Sequence, residues 1–71
     1  MITNVQCRMA RAALGWSVKE LAQKAHVGAT TVIRFEGGKP SNASTLMLIR
    51  QAFEAAGVKF LDDGGIVPPR S

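Results

Sequence analysis

Residues 11–38 read RAALGWSVKELAQKAHVGATTVIRFEGG, and this stretch decides the fold. Inside it Ser17-x-x-Glu20 is a capping box: the serine hydroxyl accepts a first-turn amide while the glutamate carboxylate reaches back to the Ser17 N–H. Behind the box, Val18, Leu21, Ala22 and Ala25 make a one-faced apolar stripe. Trp16, just ahead of the cap, is placed to staple onto Leu21, or plainly to pack in the core. His26-Val27-Gly28 interrupts the stripe, and a new helix is expected from Ala29 to Glu36. There Val32 and Phe35 point one way, with Val27 closing the stripe, while Ala29, Thr30, Ile33 and Arg34 point the other. Gly28 and the β-branched Thr30 and Thr31 give this segment weak helix propensity, so packing must hold it. Gly37-Gly38-Lys39-Pro40 stops it.

Upstream, Thr3-x-x-Gln6 is a second capping box, opening a helix to about Leu14 with Gly15 as its left-handed end. Cys7, Ala10, Arg11 and Leu14 share one face of that helix. Val5, Met9, Ala12 and Ala13 leave the other side apolar as well, so it is expected to touch the C-terminal tail or a second subunit. Downstream, a helix capped by Ser41, Asn42 or, by preference, Ser44 runs from Thr45 to Ala56 and ends at Gly57. Its buried stripe is Leu46, Ile49, Ala52, Phe53 and Ala56. Val58 to Leu61 then alternates, Asp63-Gly64-Gly65 offers a turn, and Ile66-Val67 offers a return strand that Pro68-Pro69 ends. A lone two-stranded hairpin is marginal, so it needs the first helix or another copy of the chain; a disordered tail is the other reading. The fold class is therefore all-α, a compact domain of four or five helices over residues 1–58. Residues 59–71 form a tail or short β-hairpin, a candidate dimerisation element.

Composition narrows what such a domain does. Seventy-one residues allow one small domain, and its core leaves little room for a closed catalytic pocket. One cysteine forms no internal disulfide, and one histidine beside it gives no basis for a zinc site. No Ser/His/Asp set, paired carboxylates or phosphate-cradling glycine loop stands at useful spacing, so no enzyme, metal or cofactor is expected. No apolar run reaches membrane-spanning length, and MITNVQ has neither the basic nor the apolar region of a secretory signal. An intracellular, cytoplasmic protein is expected. The net charge of +4 is uneven: residues 1–53 carry seven Lys or Arg against Glu20 and Glu36, a balance of +5. Residues 54–71 carry Lys59 and Arg70 against Glu54, Asp62 and Asp63, a balance of −1. A positive body suits a polyanion, although solubility alone explains a charge of this size equally well.

Two short helices joined by a tight turn, with the capped start and the closing Glu36-Gly37-Gly38-Lys39, resemble the phage repressor/Cro-like (xenobiotic-response-element-type) family of bacterial helix-turn-helix DNA-binding regulators. The resemblance runs over roughly residues 3–58 and implies a repressor-like domain whose second motif helix, Ala29 to Glu36, lies in the DNA major groove. It implies that Ala29, Thr30, Ile33 and Arg34 read bases and that the helix start at Ser17 sits against a backbone phosphate. It also implies a partly buried salt bridge between Arg11 and Glu36. The chain departs from the family pattern at His26, where glycine is usual, and at Gly28, where a serine or threonine cap is usual.

The chemistry of these side chains fits such roles. The Arg34 fork matches guanine O6 and N7, against the plainer reading of a phosphate clamp or solvated charge. Ile33 suits a thymine methyl, Thr30 offers a donor, an acceptor or a methyl, and Ala29 permits close approach. Ser17, Lys19, Gln23, Thr31, Lys39, Ser41 and Asn42 are the phosphate candidates, Lys39 being expected to be mobile after two glycines. Lys24 and Arg50 read as solvated charges, and Cys7 as a small buried hydrophobe. The expected partner is double-stranded DNA, bound as a homodimer through the first helix, Met47 or Leu48, or the tail, by a transcription regulator or repressor that joins the bacterial nucleoid when bound. The alternatives are an antitoxin or accessory subunit gripping a protein partner, and an adaptor that keeps the fold without DNA.

Overall fold

The computed structural model describes residues 2–70 and orders them as four helices and one hairpin. These are α1 (Asn4–Leu14), α2 (Val18–Ala25), α3 (Ala29–Glu36), α4 (Ala43–Ala55), β1 (Lys59–Phe60) and β2 (Ile66–Val67). Both capping boxes form: the Thr3 and Ser17 hydroxyls accept from Gln6 and Glu20 N–H, and Gln6 and Glu20 accept the cap amides in return. Gly15 ends α1 in the left-handed region at φ 68°. His26 ends α2 there too, at φ 57°, a conformation that costs a non-glycine residue about 1–2 kcal/mol. Gly28 starts α3 with no side-chain cap. Packing must therefore stabilise the start of a helix that has no cap of its own there.

The helices meet in one core. Cys7 from α1, Leu21 from α2, Val32 from α3, Ile49 and Phe53 from α4, and Val58 beyond it are fully enclosed. Phe53 meets two further rings, Trp16 stacked on it at 5.7 Å between centroids and Phe60 edge-on to it at 5.9 Å. Such pairs add about 0.5–1.5 kcal/mol each beyond the area they bury. Trp16 thus packs in the core, its ring stacked on Phe53 of α4.

Two expectations about α4 are corrected. Its cap is Asn42, whose side-chain oxygen accepts from Thr45 N–H at 2.8 Å, so the helix starts at Ala43 and not at Thr45. The Ser44 hydroxyl donates to that same Asn42 oxygen at 3.0 Å and caps nothing. The helix ends at Ala55, one residue early, and Gly57 at φ 98° turns the chain back. A Cβ on Gly57 would stand 2.9 Å from the Pro69 ring, so the returning tail requires glycine there.

The tail is an ordered hairpin. Lys59 pairs with Val67 and Phe60 with Ile66, antiparallel. Phe60 and Ile66 face the core, and Lys59 and Val67 face out. The apolar α1 receives it: Gln6, buried, donates through Nε2 to the Leu61 and Gly65 carbonyls, both at 3.0 Å. Within one chain, then, α1 packs on the tail.

Candidate nucleic-acid interface

α3 separates its residues cleanly. Val32, Phe35 and Glu36 are buried, with α3 packed chiefly on α1 and α2, whereas Ala29, Thr30, Ile33 and Arg34 are all exposed. Ile33 is 59% exposed, an unusual solvent position for a large β-branched side chain on a polar face. These four residues stand one helical turn apart in two pairs, the arrangement that 3.6-residue periodicity makes of positions 29, 30, 33 and 34.

The far end of α3 is anchored by charge. Arg11 donates from Nε and Nη2 to the two carboxylate oxygens of Glu36, at 2.7 and 2.8 Å, and from Nη1 to the Trp16 carbonyl at 3.0 Å. The buried Cys7 thiol donates to Glu36 Oε2 at 3.2 Å, and Arg8 donates to the Glu36 main-chain carbonyl. Burial alone pushes the Glu36 carboxyl up. Hydrogen bonds from Arg11 and Cys7, with the positive fields of Arg11 and Arg8, outweigh that and hold it below its ordinary range. Burial, then the bond to Glu36, pushes the Cys7 thiol far above the usual thiol range, so the sulfur remains a neutral donor. Cys7 is therefore more than the hydrophobe expected of it. The sequence offered no signal for this bond, because a cysteine on a buried stripe reads as packing.

Around this helix the candidate polar contacts fall into three groups. Thr31, Arg34, Ser41 and Asn42 line one groove of roughly 280 Å³ between α3 and the start of α4, with Thr45 as a further member that sequence reasoning missed. Lys39 lies apart from it, on the other side of Pro40, in a groove shared with Thr3 and Asn4. Its expected mobility needs correction. The Lys39 N–H donates to the Arg34 carbonyl at 2.9 Å and Gly38 N–H to that of Phe35, so the last turn of α3 holds the loop and only the lysine side chain is free to range. Ser17, Lys19 and Gln23 form the third group, all exposed on α2 and its cap. Glu20 closes the box at that end, and the Ser17 N–H, then the Ser17 hydroxyl, hold its carboxyl below the ordinary range. The amides of Val18 and Lys19 remain as first-turn donors.

Two cations are engaged elsewhere. Lys24 lies over the Trp16 ring at 5.3 Å, and Arg50 lies over Phe60 at 5.6 Å while bonding Glu54 at 3.0 Å. Among the described residues the ion pairs are Arg11–Glu36 and Arg50–Glu54, so Arg34, Lys19 and Lys39 carry charge that no internal carboxylate neutralises. No group of three or more metal-ligating side chains converges among them, and no helix is long and apolar enough to cross a membrane.

The helix-turn-helix family matches residues 8–57, well over half of the chain. The comparison with curated proteins gives no match. The chain belongs to the helix-turn-helix family of the phage repressor/Cro type, and it is a DNA-binding helix-turn-helix protein.

Proposed function

From that membership, we propose that this protein is a sequence-specific transcriptional regulator, a repressor, that binds double-stranded DNA as a homodimer in the cytoplasm and without catalytic activity. The observation that carries the reading is the division of α3: four exposed side chains on one face, and a buried face clamped through Glu36. A reading element needs that rigidity, because bidentate base contacts tolerate little displacement. Residues 1–58 are the reading unit, and the hairpin of the tail, residues 59–71, covers α1. Arg34 takes guanine, Ile33 and Thr30 take thymine or adenine edges, and Ala29 permits close approach. Thr31, Ser41 and Asn42 flank Arg34 and hold one phosphate strand, with Ser17, Lys19, Gln23 and Lys39 holding phosphates to either side.

Selection from a random duplex pool at fixed salt is the direct test. A palindrome with half-sites about 34 Å apart is expected, since one helix reads too few base pairs to bind usefully alone. No enrichment from a folded chain would overturn the reading in favour of an adaptor. Arg34→Ala is expected to lose about 1–3 kcal/mol of discrimination per half-site between the selected duplex and one altered at the guanine, with the helical signal unchanged. Lys39→Ala is expected to act differently. It weakens all duplexes alike and lowers the slope of log K against log salt by about one per half-site. Titrations of both variants at several salt concentrations separate base reading from phosphate holding.

A further inference from the structure

The strip of α4 that faces away from α3 has no task in DNA reading. Ala43, Met47, Arg50 and Glu54 follow one another along it at helical spacing. Ile2, Ala43, Leu46 and Met47 line an apolar groove of roughly 270 Å³ that ends at Arg50. A second groove starts at Arg50 and continues past Phe60 to Leu61 and Asp62 of the hairpin. Arg50 thus joins the two into one track. Met47 at its start is 59% exposed and Leu61 at its end is 42% exposed.

The charges along this track are self-complementary. Arg50 uses only Nε on Glu54, and its terminal nitrogens, in a guanidinium that lies over Phe60, make no hydrogen bond among the described residues. Asp63 is tied to the Gly65 N–H at 2.9 Å, whereas the Asp62 carboxylate beside Leu61 has no such tie among those residues. Asp62 and Asp63 are the acidic end of a chain whose first 53 residues carry +5. A phosphate backbone is repelled by that end, and a second copy of the same track is matched by it.

We infer that the Met47–Arg50–Leu61–Asp62 track is the two-fold interface of the homodimer, each Asp62 reaching the Arg50 of its partner and the Met47 and Leu61 side chains packing between them. The inference rests on the homodimer reading above and specifies its surface. A two-fold contact uses one patch on both subunits, so each residue meets its own complement twice. A stable interface buries about 800 Å² per partner, a little under a fifth of this protomer's 4472 Å².

Sedimentation equilibrium on the full chain, with circular dichroism to confirm folding, tests it through a charge swap. Arg50→Glu alone sets Glu against Asp62 at both contacts, and Asp62→Lys alone sets Lys against Arg50. Each variant is expected to associate about a hundredfold more weakly than the wild type. Mixed, they restore both contacts and form a heterodimer of wild-type strength. Met47→Lys, which the exposure of Met47 lets the fold accept, is expected to weaken association without rescue by either variant. If the wild type is a dimer and the three variants dimerise equally well, the inference fails and the homodimer reading stands. If the single charge variants separate but their mixture does not associate, the Arg50–Asp62 contact is wrong. A wild type that stays monomeric alone and on a palindromic duplex overturns both.

Discussion

Arg11→Ala is expected to destabilise the domain by about 3–5 kcal/mol, because it leaves the Glu36 carboxylate buried without its cation. The two sides of the pair are not equivalent. The Arg11 side chain is 23% exposed and that of Glu36 8%, so an orphaned Arg11 turns towards solvent more readily than an orphaned Glu36. Glu36→Ala is accordingly expected to cost less than Arg11→Ala, and the double variant less than the sum. The pH dependence gives the sharper test. With Arg11 present, Glu36 titrates below its ordinary value of 4.5, so its contribution is complete above that pH and is lost as pH falls through the lowered folded value. Without Arg11, burial is opposed only by the Cys7 thiol and the field of Arg8, and the carboxyl titrates higher. Protonation then relieves the variant as pH falls towards the ordinary value, and weakens the wild type only below it. The gap between the two in urea unfolding should be widest near neutrality, begin to close above pH 4.5 and go on closing below it. A gap constant from pH 7 to pH 3 would show that Glu36 is not ionised in its pocket. The functional consequence is indirect: loss of the clamp frees the end of α3, and duplex discrimination should fall with stability even though neither residue faces out.

What the sequence revealed and what it withheld divide along chain separation. Both capping boxes, the Gly15 end of α1 and the alternation of Val32 and Phe35 with Thr30, Ile33 and Arg34 depend on residues within one or two turns, where spacing alone places side chains. Even there, competition between neighbours decided α4, where Asn42 took the capping position and Ser44 became its hydrogen-bond donor. Contacts across the fold carried no local mark. Arg11 and Glu36 are 25 residues apart and are legible only through family resemblance. Trp16 reads as a staple or a core residue by spacing, but that its ring stacks on Phe53 carries no local mark. Cys7 and Gln6 each show one role in the sequence, packing and capping, and each has a second that only the assembled fold provides. The grouping of Thr31, Arg34, Ser41 and Asn42 into one groove, with Lys39 outside it, belongs to the same class. It depends on the way Pro40 carries the loop between them.

Gln6→Glu is expected to release the hairpin while leaving α1 capped. The two ends of the Gln6 amide do separate work: Oε1 accepts the Thr3 N–H at 2.9 Å, and Nε2 donates to the carbonyls of Leu61 and Gly65. A glutamate keeps the first contact, since Glu serves in a capping box as well as Gln. At the second it sets a carboxylate oxygen, without a proton, against two carbonyl oxygens in a buried site. An uncompensated buried charge of that kind costs about 3–5 kcal/mol, more than a docked two-stranded hairpin is worth by itself. The chain therefore has an escape: undocking the hairpin hydrates the carboxylate, and the measured loss is capped at the docking free energy. The helices should survive, with Phe53 keeping Trp16 and losing Phe60. Hydrogen exchange should show this as lost protection at Leu61 N–H, which bonds the Gly65 carbonyl in the docked turn, with α2 and α3 nearly unchanged. Lowering the pH should redock the hairpin, because the introduced carboxyl, once protonated, regains a donor for one of the two carbonyls. Gln6→Ala, which loses the donor without adding charge, should fall between the wild type and Gln6→Glu. Unaltered protection in Gln6→Glu at neutral pH would mean that Phe60 and Ile66 hold the hairpin by packing alone, and that α1 takes no part in retaining it.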